Sequence, residues 1–304
     1  MTEAEKYLKD YLDYLEIEKN RSPKTRENYE RYLRAFIFTE KIGKPADITE
    51  AAVRSFRVAL ARKDLKKISQ NYYVIAIRNF LKFLAKRDLK TLSAEKIELP
   101  KVARRQIDIL EYKDLERLLS APKGGDLRSL RDRAILEMLF STGLRLAELC
   151  SLDRYLDLER GEFTVRGKGE KLRVVFLSAR AKKNLKDYLA KRGDADPALF
   201  VSLTKATSDK RQATRPPKVI GRITPRAVER LVEHWAKAAG LPKRVHPHEL
   251  RHAFATDLLM NGADLRAVQE LLGHANVSTT QVYTHLTNKA LKDIHQAFHG
   301  RRRK

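Results

Sequence analysis

The segment HELRH, residues 248–252, contains a histidine and an arginine whose spacing suggests chemistry. His248 and Arg251 are three positions apart, which places both side chains on one face of a helix. A guanidinium binds two phosphate oxygens at once, and an imidazole donates to a phosphate or carries a proton near neutral pH. The pair predicts an anion site, although such pairs also occur on ordinary helix surfaces.

The same segment matches the zinc-peptidase pattern H-E-x-x-H. In that pattern two histidines one helical turn apart bind the metal and the glutamate is a base. Here these residues are His248, His252 and Glu249, with Glu270 as a candidate third ligand. The pattern fixes only three positions, and Arg251 would place a cation beside the metal. We therefore expect no metal site and keep a zinc peptidase as an alternative.

Three further segments place polar side chains near the predicted ends of helices or strands. Arg145 in STGLRLAEL follows a helix break, and Glu148 lies three residues later, where it can hold the guanidinium. Lys168 lies between two glycines, which allow a loop to approach a ligand closely. His274 follows a glycine that ends a helix, and Tyr283 lies in a short predicted helix. Each feature alone also fits a salt bridge, a surface turn or a buried core residue.

Together these segments resemble the tyrosine recombinase (phage integrase) family. STGLRLAEL, GKGEKLR, HELRHAFAT and LLGHANVSTTQVYTH occur in the order and with the spacing of that family, over most of residues 111–285. The helical N-terminal region, with its basic linker, is similar to the core-binding domain of Xer-type recombinases. By this resemblance the catalytic positions of the family fall on Arg145, Lys168, His248, Arg251, His274 and Tyr283, with Glu148 as the accompanying acidic residue.

The resemblance implies an enzyme that cuts and rejoins DNA without a metal, ATP or another cofactor. Attack on a phosphodiester places negative charge on the phosphoryl oxygens. The two arginines and His274 would stabilise that charge. Tyr283 would be the nucleophile and form a 3′-phosphotyrosyl intermediate, with His248 as the base and Lys168 as the acid for the leaving sugar oxygen.

The elements that must position these residues begin with four predicted helices. Ser22-Pro23 and Thr49 are helix-start signals, and a fourth helix is predicted over 69–86. Four helices with short connections predict a bundle. We assign residues 1–95 to this bundle, as a core-binding, SAM-like domain, and residues 96–108 to a basic linker that contains a proline.

Residues 109–304 are predicted to form an α+β catalytic domain with a small antiparallel sheet, so that the whole chain is mainly helical. Glycines on both sides of Lys168 favour a hairpin between two short strands. The predicted strands are 162–166, 172–177 and 199–203, and residues 204–222 are predicted to be a loop. The predicted helices are 111–120, 127–141, 145–151, 179–192, 225–239, 247–261, 263–272, 279–285 and 287–298.

The charge balance favours a polyanionic partner. Sixty-three Lys and Arg against 39 Asp and Glu give a net charge of +24. Both parts of the chain carry the surplus, since residues 1–105 hold 25 basic and 15 acidic side chains. Nucleic acid is the expected partner, and the resemblance specifies double-stranded DNA. Candidate DNA contacts, each also compatible with a solvated surface, are Lys66, Lys67, Arg78, Lys82, Lys101, Arg104 and Arg105.

Composition excludes several classes of protein. The single cysteine, Cys150, cannot form an intramolecular disulfide. A hydrophobic content of 42% supplies packed cores and argues against disorder. No apolar run approaches the ~18–20 residues of a membrane-spanning helix. Because the first residues also lack the pattern of a signal peptide, we expect a cytoplasmic, nucleoid-associated protein.

The last predicted helix carries an apolar stripe of Leu291, Ile294 and Phe298. The stripe packs either on its own domain or on a neighbour. The resemblance implies four protomers on two duplexes, and we expect this helix to dock on the adjacent subunit.

The predicted function is Xer-like resolution of chromosome dimers. An integrase of a mobile element is the related alternative, which the lack of room for a further N-terminal domain disfavours. A zinc peptidase and a DNA-binding protein without catalysis are the alternatives from other classes.

Overall fold

The computed structural model describes residues 1–63, 65–99, 110–167, 172–204 and 217–273. The chain divides into two compact units, Met1–Arg105 and Gln106–Lys304. Among the described residues, no helix combines the length and the apolar character needed to span a bilayer.

The described part of the first unit is a helical bundle, as predicted. Side-chain oxygens of Ser22 and Thr49 accept backbone N–H groups and begin the second and third helices. A single π-helical turn, Tyr14–Glu18, extends the first helix. The α-helices of this unit are α1 (Glu3–Asp13), α2 (Pro23–Thr39), α3 (Glu50–Arg62) and α4 (Lys67–Ala85).

Aromatic side chains fill the core of the first unit. Phe36 of α2 meets Phe56 of α3 edge to face, with ring centroids 5.2 Å apart. Tyr11 of α1 packs between Phe80 and Phe83 of α4, at 5.4 and 5.0 Å. The buried faces of the four helices therefore meet in one core.

The second unit combines helices with two small antiparallel sheets. Its first described helices are α5 (Tyr112–Leu119), α6 (Leu127–Thr142) and α7 (Leu146–Ser151). The strands are β1 (Glu162–Arg166), β2 (Leu172–Phe176), β3 (Val201–Leu203) and β4 (Val219–Arg222), with α8 (Ala179–Lys191) between β2 and β3. The last described helices are α9 (Pro225–Ala238), α10 (Pro247–Met260) and α11 (Leu265–Leu272).

Helix α6 is the central element of the second unit and packs against α8 and α10. Because α6 is buried on most of its surface, even its charged residues need internal partners. Arg131 and Asp132 pair with each other. The Trp235 Nε1–H donates to Asp132 at 2.9 Å, and Arg131 donates to the carbonyl of Val201 at 3.0 Å.

One of the two sheets agrees with the sequence prediction, and the other contains a strand that was not predicted. β1 and β2 form the predicted hairpin, with Arg166 opposite Leu172. Residues 219–222, predicted to lie in a loop, instead form β4 and pair with β3. The prediction was wrong because this strand has only four residues and follows a basic, proline-containing stretch, and its pairing depends on a partner at least 16 positions upstream.

Phe36 and Phe38 provide a matched test of the core of the first unit, because they lie two residues apart on α2 and are 0% and 86% exposed. We expect Phe36→Ala to lower the free energy of unfolding by about 3–5 kcal/mol, since it leaves a cavity. Phe38→Ala should change it by less than about 0.5 kcal/mol. Urea unfolding followed by circular dichroism measures both. Equal losses would contradict this description of the core.

Candidate active site

Arg145 lies at the turn between α6 and α7. Helix α6 ends at Thr142, and Gly143 follows it in the left-handed conformation, with φ +58°. A Cβ at Gly143 would lie 2.4 Å from the ring of Phe254, so the turn requires glycine. Arg145 then begins α7, and its backbone N–H donates to Glu148 at 2.8 Å. The helix break predicted from the sequence is therefore confirmed.

Glu148 holds two arginine side chains. Its carboxylate accepts from Arg145 Nη1 at 2.8 Å, and from Arg173 Nη1 and Nη2 at 2.9 and 2.6 Å. The side chains of Glu148 and Arg173 are each only 7% exposed. Burial alone would raise the pKa of Glu148, but the hydrogen bonds from Arg173 and Arg145 lower it from its usual 4.5 to about 2. Glu148 is therefore ionised at neutral pH.

Arg251 projects from the second turn of α10 and is buried. Its Nη1 donates to the carbonyl of Gly143, and its Nη2 donates to the carbonyl of Leu272 at 2.6 Å. Arg251 thus joins the turn that precedes Arg145 to the end of α11.

The last carbonyls of α11 each accept a hydrogen bond from a different arginine. Arg173 Nε donates to Leu271 at 3.1 Å, and Arg145 Nη2 donates to Gly273 at 3.0 Å. The carbonyl between them accepts from Arg251. The negative end of the helix dipole therefore faces three positive side chains. This arrangement brings the two arginines predicted to be catalytic, Arg145 and Arg251, into one hydrogen-bonded group.

His248 lies one turn before Arg251 on α10, as its spacing predicted. Its ring meets that of His252 edge to face, with centroids 4.4 Å apart. Although part of His248 is exposed, the protein around the ring desolvates it and is the main cause that lowers its pKa below the usual 6.5. The positive charges of Arg251 and Arg145 lower the pKa further. The imidazole is therefore neutral at pH 7 and able to accept a proton.

The HELRH segment forms the first turns of α10, and its glutamate does not act with the two histidines. Glu249 folds back and accepts a hydrogen bond from the backbone N–H of His246, which caps the helix. In the described parts of the chain, no three His, Cys, Asp or Glu side chains form a group that could hold a metal. The geometry gives no support to the zinc-peptidase alternative.

The remaining predicted site residues are divided between described and undescribed parts of the chain. Lys66 and Lys67 are exposed at the start of α4, and Arg78 and Lys82 lie one turn apart near its end. The Lys82 ammonium is 3.7 Å from the carboxylate of Glu95. The predicted residues that lie outside the described residues are Lys101, Arg104, Arg105, Lys168, His274 and Tyr283.

Arg173 is the residue of this site that the sequence analysis missed. It is the last residue of the motif GKGEKLR and lies on β2 between Leu172 and Val174, both of which are exposed. A charged residue on the inward face of a short strand is the signal that could have identified it, because such a residue needs a buried partner.

Comparison with known proteins agrees with this geometry. Residues 108–290 match the phage integrase family, and residues 8–88 match the phage integrase N-terminal SAM-like domain. The tyrosine recombinase XerC of Escherichia coli O139:H28 is 38% identical over 311 residues, which cover 99% of this chain and 98% of XerC. The chain therefore belongs to the phage integrase family, the tyrosine recombinases, which cleave and rejoin DNA. The resemblance predicted from the motifs is confirmed.

Solved structures show the same relationship. A crystal structure of XerA recombinase is 31% identical and has a TM-score of 0.52, with 98% of this chain and 100% of XerA covered. XerH site-specific recombinase, bound to a palindromic difH substrate after cleavage, is 24% identical with a TM-score of 0.69. That match covers 94% of this chain and 82% of XerH and shows the common fold.

The buried carboxylate of Glu148 predicts a pH-dependent contribution to stability. Because its pKa is lowered by folding, the contribution is fully present above about pH 4.5 and is lost as the pH falls towards 2. We expect Glu148→Gln to cost about 3 kcal/mol at pH 7, and this difference from the wild type to shrink between pH 4.5 and 3.

Urea unfolding of the full chain across this pH range tests the prediction. Glu229→Gln, which removes a partly exposed carboxylate on α9, is the matched control and should stay within about 0.5 kcal/mol of the wild type. A loss in Glu148→Gln that does not change with pH would contradict the assignment.

Proposed function

We propose that this chain is a site-specific DNA recombinase that resolves chromosome dimers in the manner of Xer recombinases. The observation that carries the proposal is the convergence of Arg145 and Arg251 on the end of α11, beside His248. Two guanidiniums fixed in one place suit the charge of a phosphodiester under attack. The 38% sequence identity to XerC over nearly the full length supports the Xer-like role over that of a mobile-element integrase.

The proposed reaction exchanges one phosphodiester bond for another. The phenolic oxygen of Tyr283 attacks the phosphorus and forms a 3′-phosphotyrosyl bond, while the bond to the 5′-oxygen breaks. His248 takes the phenolic proton, and Lys168 donates a proton to the departing 5′-oxygen. Attack by a second 5′-hydroxyl reverses the same steps, so that rejoining needs no ATP. The roles of Lys168 and Tyr283 rest on the family motif.

The charges of the chain itself stabilise the transition state in this proposal. Arg145 and Arg251, with His274 assigned by the motif, donate to the phosphoryl oxygens as negative charge accumulates. Arginine suits this position because its planar fork donates two parallel hydrogen bonds to one phosphate. The lowered pKa of His248 supports its role as the base, because a neutral imidazole is required to accept the proton.

We assign DNA binding to both parts of the chain. The proposed organisation is a core-binding domain at residues 1–95, a basic linker at 96–108 and a catalytic domain at 109–304. Both parts have a basic surplus, which suits contact with one phosphate backbone. The proposed contacts in the bundle and linker are Lys66, Lys67, Arg78, Lys82, Lys101, Arg104 and Arg105.

The proposed assembly is a tetramer on two DNA duplexes, in the cytoplasm at the nucleoid. XerH, which shares the fold, has been solved on a difH substrate. We assign the C-terminal stripe of Leu291, Ile294 and Phe298 to the contact with the adjacent subunit. A head-to-tail contact of this kind closes into a ring.

Covalent trapping tests the proposed chemistry. The substrate is a nicked suicide duplex that carries a binding site located beforehand by footprinting. Cleavage releases a short fragment from it, which leaves the protein attached to the DNA. In EDTA the wild type should form an adduct that survives a denaturing gel, and Tyr283→Phe should form none, because it lacks the attacking oxygen. Tyr155→Phe, which alters an exposed tyrosine of the same unit, should form the adduct normally.

Two results would contradict the proposal. An adduct that persists in Tyr283→Phe would mean that another residue is the nucleophile. Binding to the site without any adduct would favour a DNA-binding protein that lacks catalysis.

The pH dependence of adduct formation tests the role of His248. Because its pKa is lowered, the neutral form should persist below pH 6.5, and the rate should fall only at more acidic pH. His248→Gln should slow the reaction by about 10²-fold at pH 7.5 and abolish this acid limb. His234→Gln, at an exposed histidine of α9, should keep the wild-type profile. An unchanged acid limb in His248→Gln would assign the proton transfer to another group.

A further inference from the structure

Arg173 donates three hydrogen bonds to groups of the candidate site that lie outside its own strand. Two of its nitrogens bind the two oxygens of Glu148, at 2.9 and 2.6 Å, and the third donates to the carbonyl of Leu271 at 3.1 Å. Its side chain is nearly completely buried, so these contacts lie in a region of low dielectric where they are strong. Arg173 thus connects β2 to both α7 and the end of α11.

The turn after α11 is built around the side chain of Arg173. Gly273 ends the helix with φ +61°, and a Cβ there would lie 2.9 Å from Cδ of Arg173. The carbonyl of Gly273 in turn accepts from Arg145. Among the described residues, the Arg145 guanidinium is held by Glu148 and by the Gly273 carbonyl. Arg173 binds the first directly, and its side chain lies beside the glycine that carries the second.

We infer that Arg173 is a positioning residue for the proposed strand cleavage, which holds Arg145 in place through Glu148 and through the end of α11. The inference rests on the proposed function. Arg173 itself need not touch DNA, because its side chain is nearly completely buried and each of its three nitrogens already donates within the protein. Arg173 affects the reaction indirectly, because it determines the direction in which the remaining N–H donors of Arg145 point.

Lysine cannot replace Arg173 in this role. Its single ammonium carries charge but cannot reproduce a planar fork with a third donor at a fixed angle. With lysine, Glu148 would keep a nearby cation, while Arg145 would lose the rigid partner on the far side of the carboxylate. Small errors in the position of a catalytic group slow reactions strongly, since a displacement of about 1 Å can cost about 10²-fold.

The test measures cleavage separately from DNA binding in the full-length protein. Single-turnover adduct formation at saturating suicide duplex gives the rate of chemistry, and a gel-shift titration gives Kd. Arg173→Lys should lower the rate at least tenfold while Kd stays within about threefold. Arg192→Lys is the matched control, because Arg192 is also fully buried and binds both oxygens of a carboxylate, that of Asp194.

A double variant tests whether Arg173 acts through Glu148. If it does, Arg173→Lys combined with Glu148→Gln should cleave no more slowly than the slower single variant, because both changes disturb one unit. Multiplied losses would overturn the inference. A rate for Arg173→Lys within twofold of that for Arg192→Lys, with both variants folded by circular dichroism, would also overturn it.

A second variant, Arg173→Gln, serves as a control for folding, because glutamine keeps a donor for the carbonyl of Leu271. If neither Arg173 variant folds at temperatures where Arg192→Lys folds, Arg173 has only a structural role and the inference is wrong. Failure of the wild type to form any adduct would instead overturn the proposed function.

Discussion

The candidate site depends on one buried carboxylate, Glu148, that lies between two arginines and binds both. Arg145 and Arg173 approach each other closely in a protein with a net charge of +24, and without Glu148 their repulsion would separate them. Hydrogen bonds from Arg173 and Arg145 in turn lower the pKa of the carboxylate and keep it ionised under burial. The carbonyls at the end of α11 add further partial negative charge at the same place. The site therefore holds charges of both signs in fixed positions, with a net positive charge, before any phosphate arrives.

Two glycines provide the backbone geometry that this arrangement of charges requires. Gly143 and Gly273 end α6 and α11 in the left-handed conformation, and each presents its carbonyl to an arginine. A side chain at either position would collide with a neighbour as well as strain the backbone. The helix ends therefore hold the arginines together with Glu148. Rigid support of this kind is what a site for charge stabilisation needs, because preorganised donors require no rearrangement during the reaction.

Local features of this site could be predicted from the sequence, and its long-range contacts could not. The glycine after α6, the glycine after α11 and the hairpin of β1 and β2 all follow from short-range signals, and the structure confirms them. The fork between Arg173 and Glu148 joins residues 25 positions apart through tertiary packing, which periodicity does not encode. Strand β4 was not predicted for a similar reason, because its conformation depends on pairing with β3.

The hydrogen bonds of the two central arginines also determine when the site can exist during synthesis of the chain. Arg145 binds a carbonyl 128 positions later, and Arg251 joins a turn 108 positions earlier. A nascent chain that has not yet released α11 from the ribosome lacks the carbonyls of Leu272 and Gly273, so each of the two arginines lacks one of its partners. Contacts between distant parts of a sequence slow folding, because closing the long loop between them costs entropy. A polypeptide that ends before α11 therefore cannot assemble the candidate site.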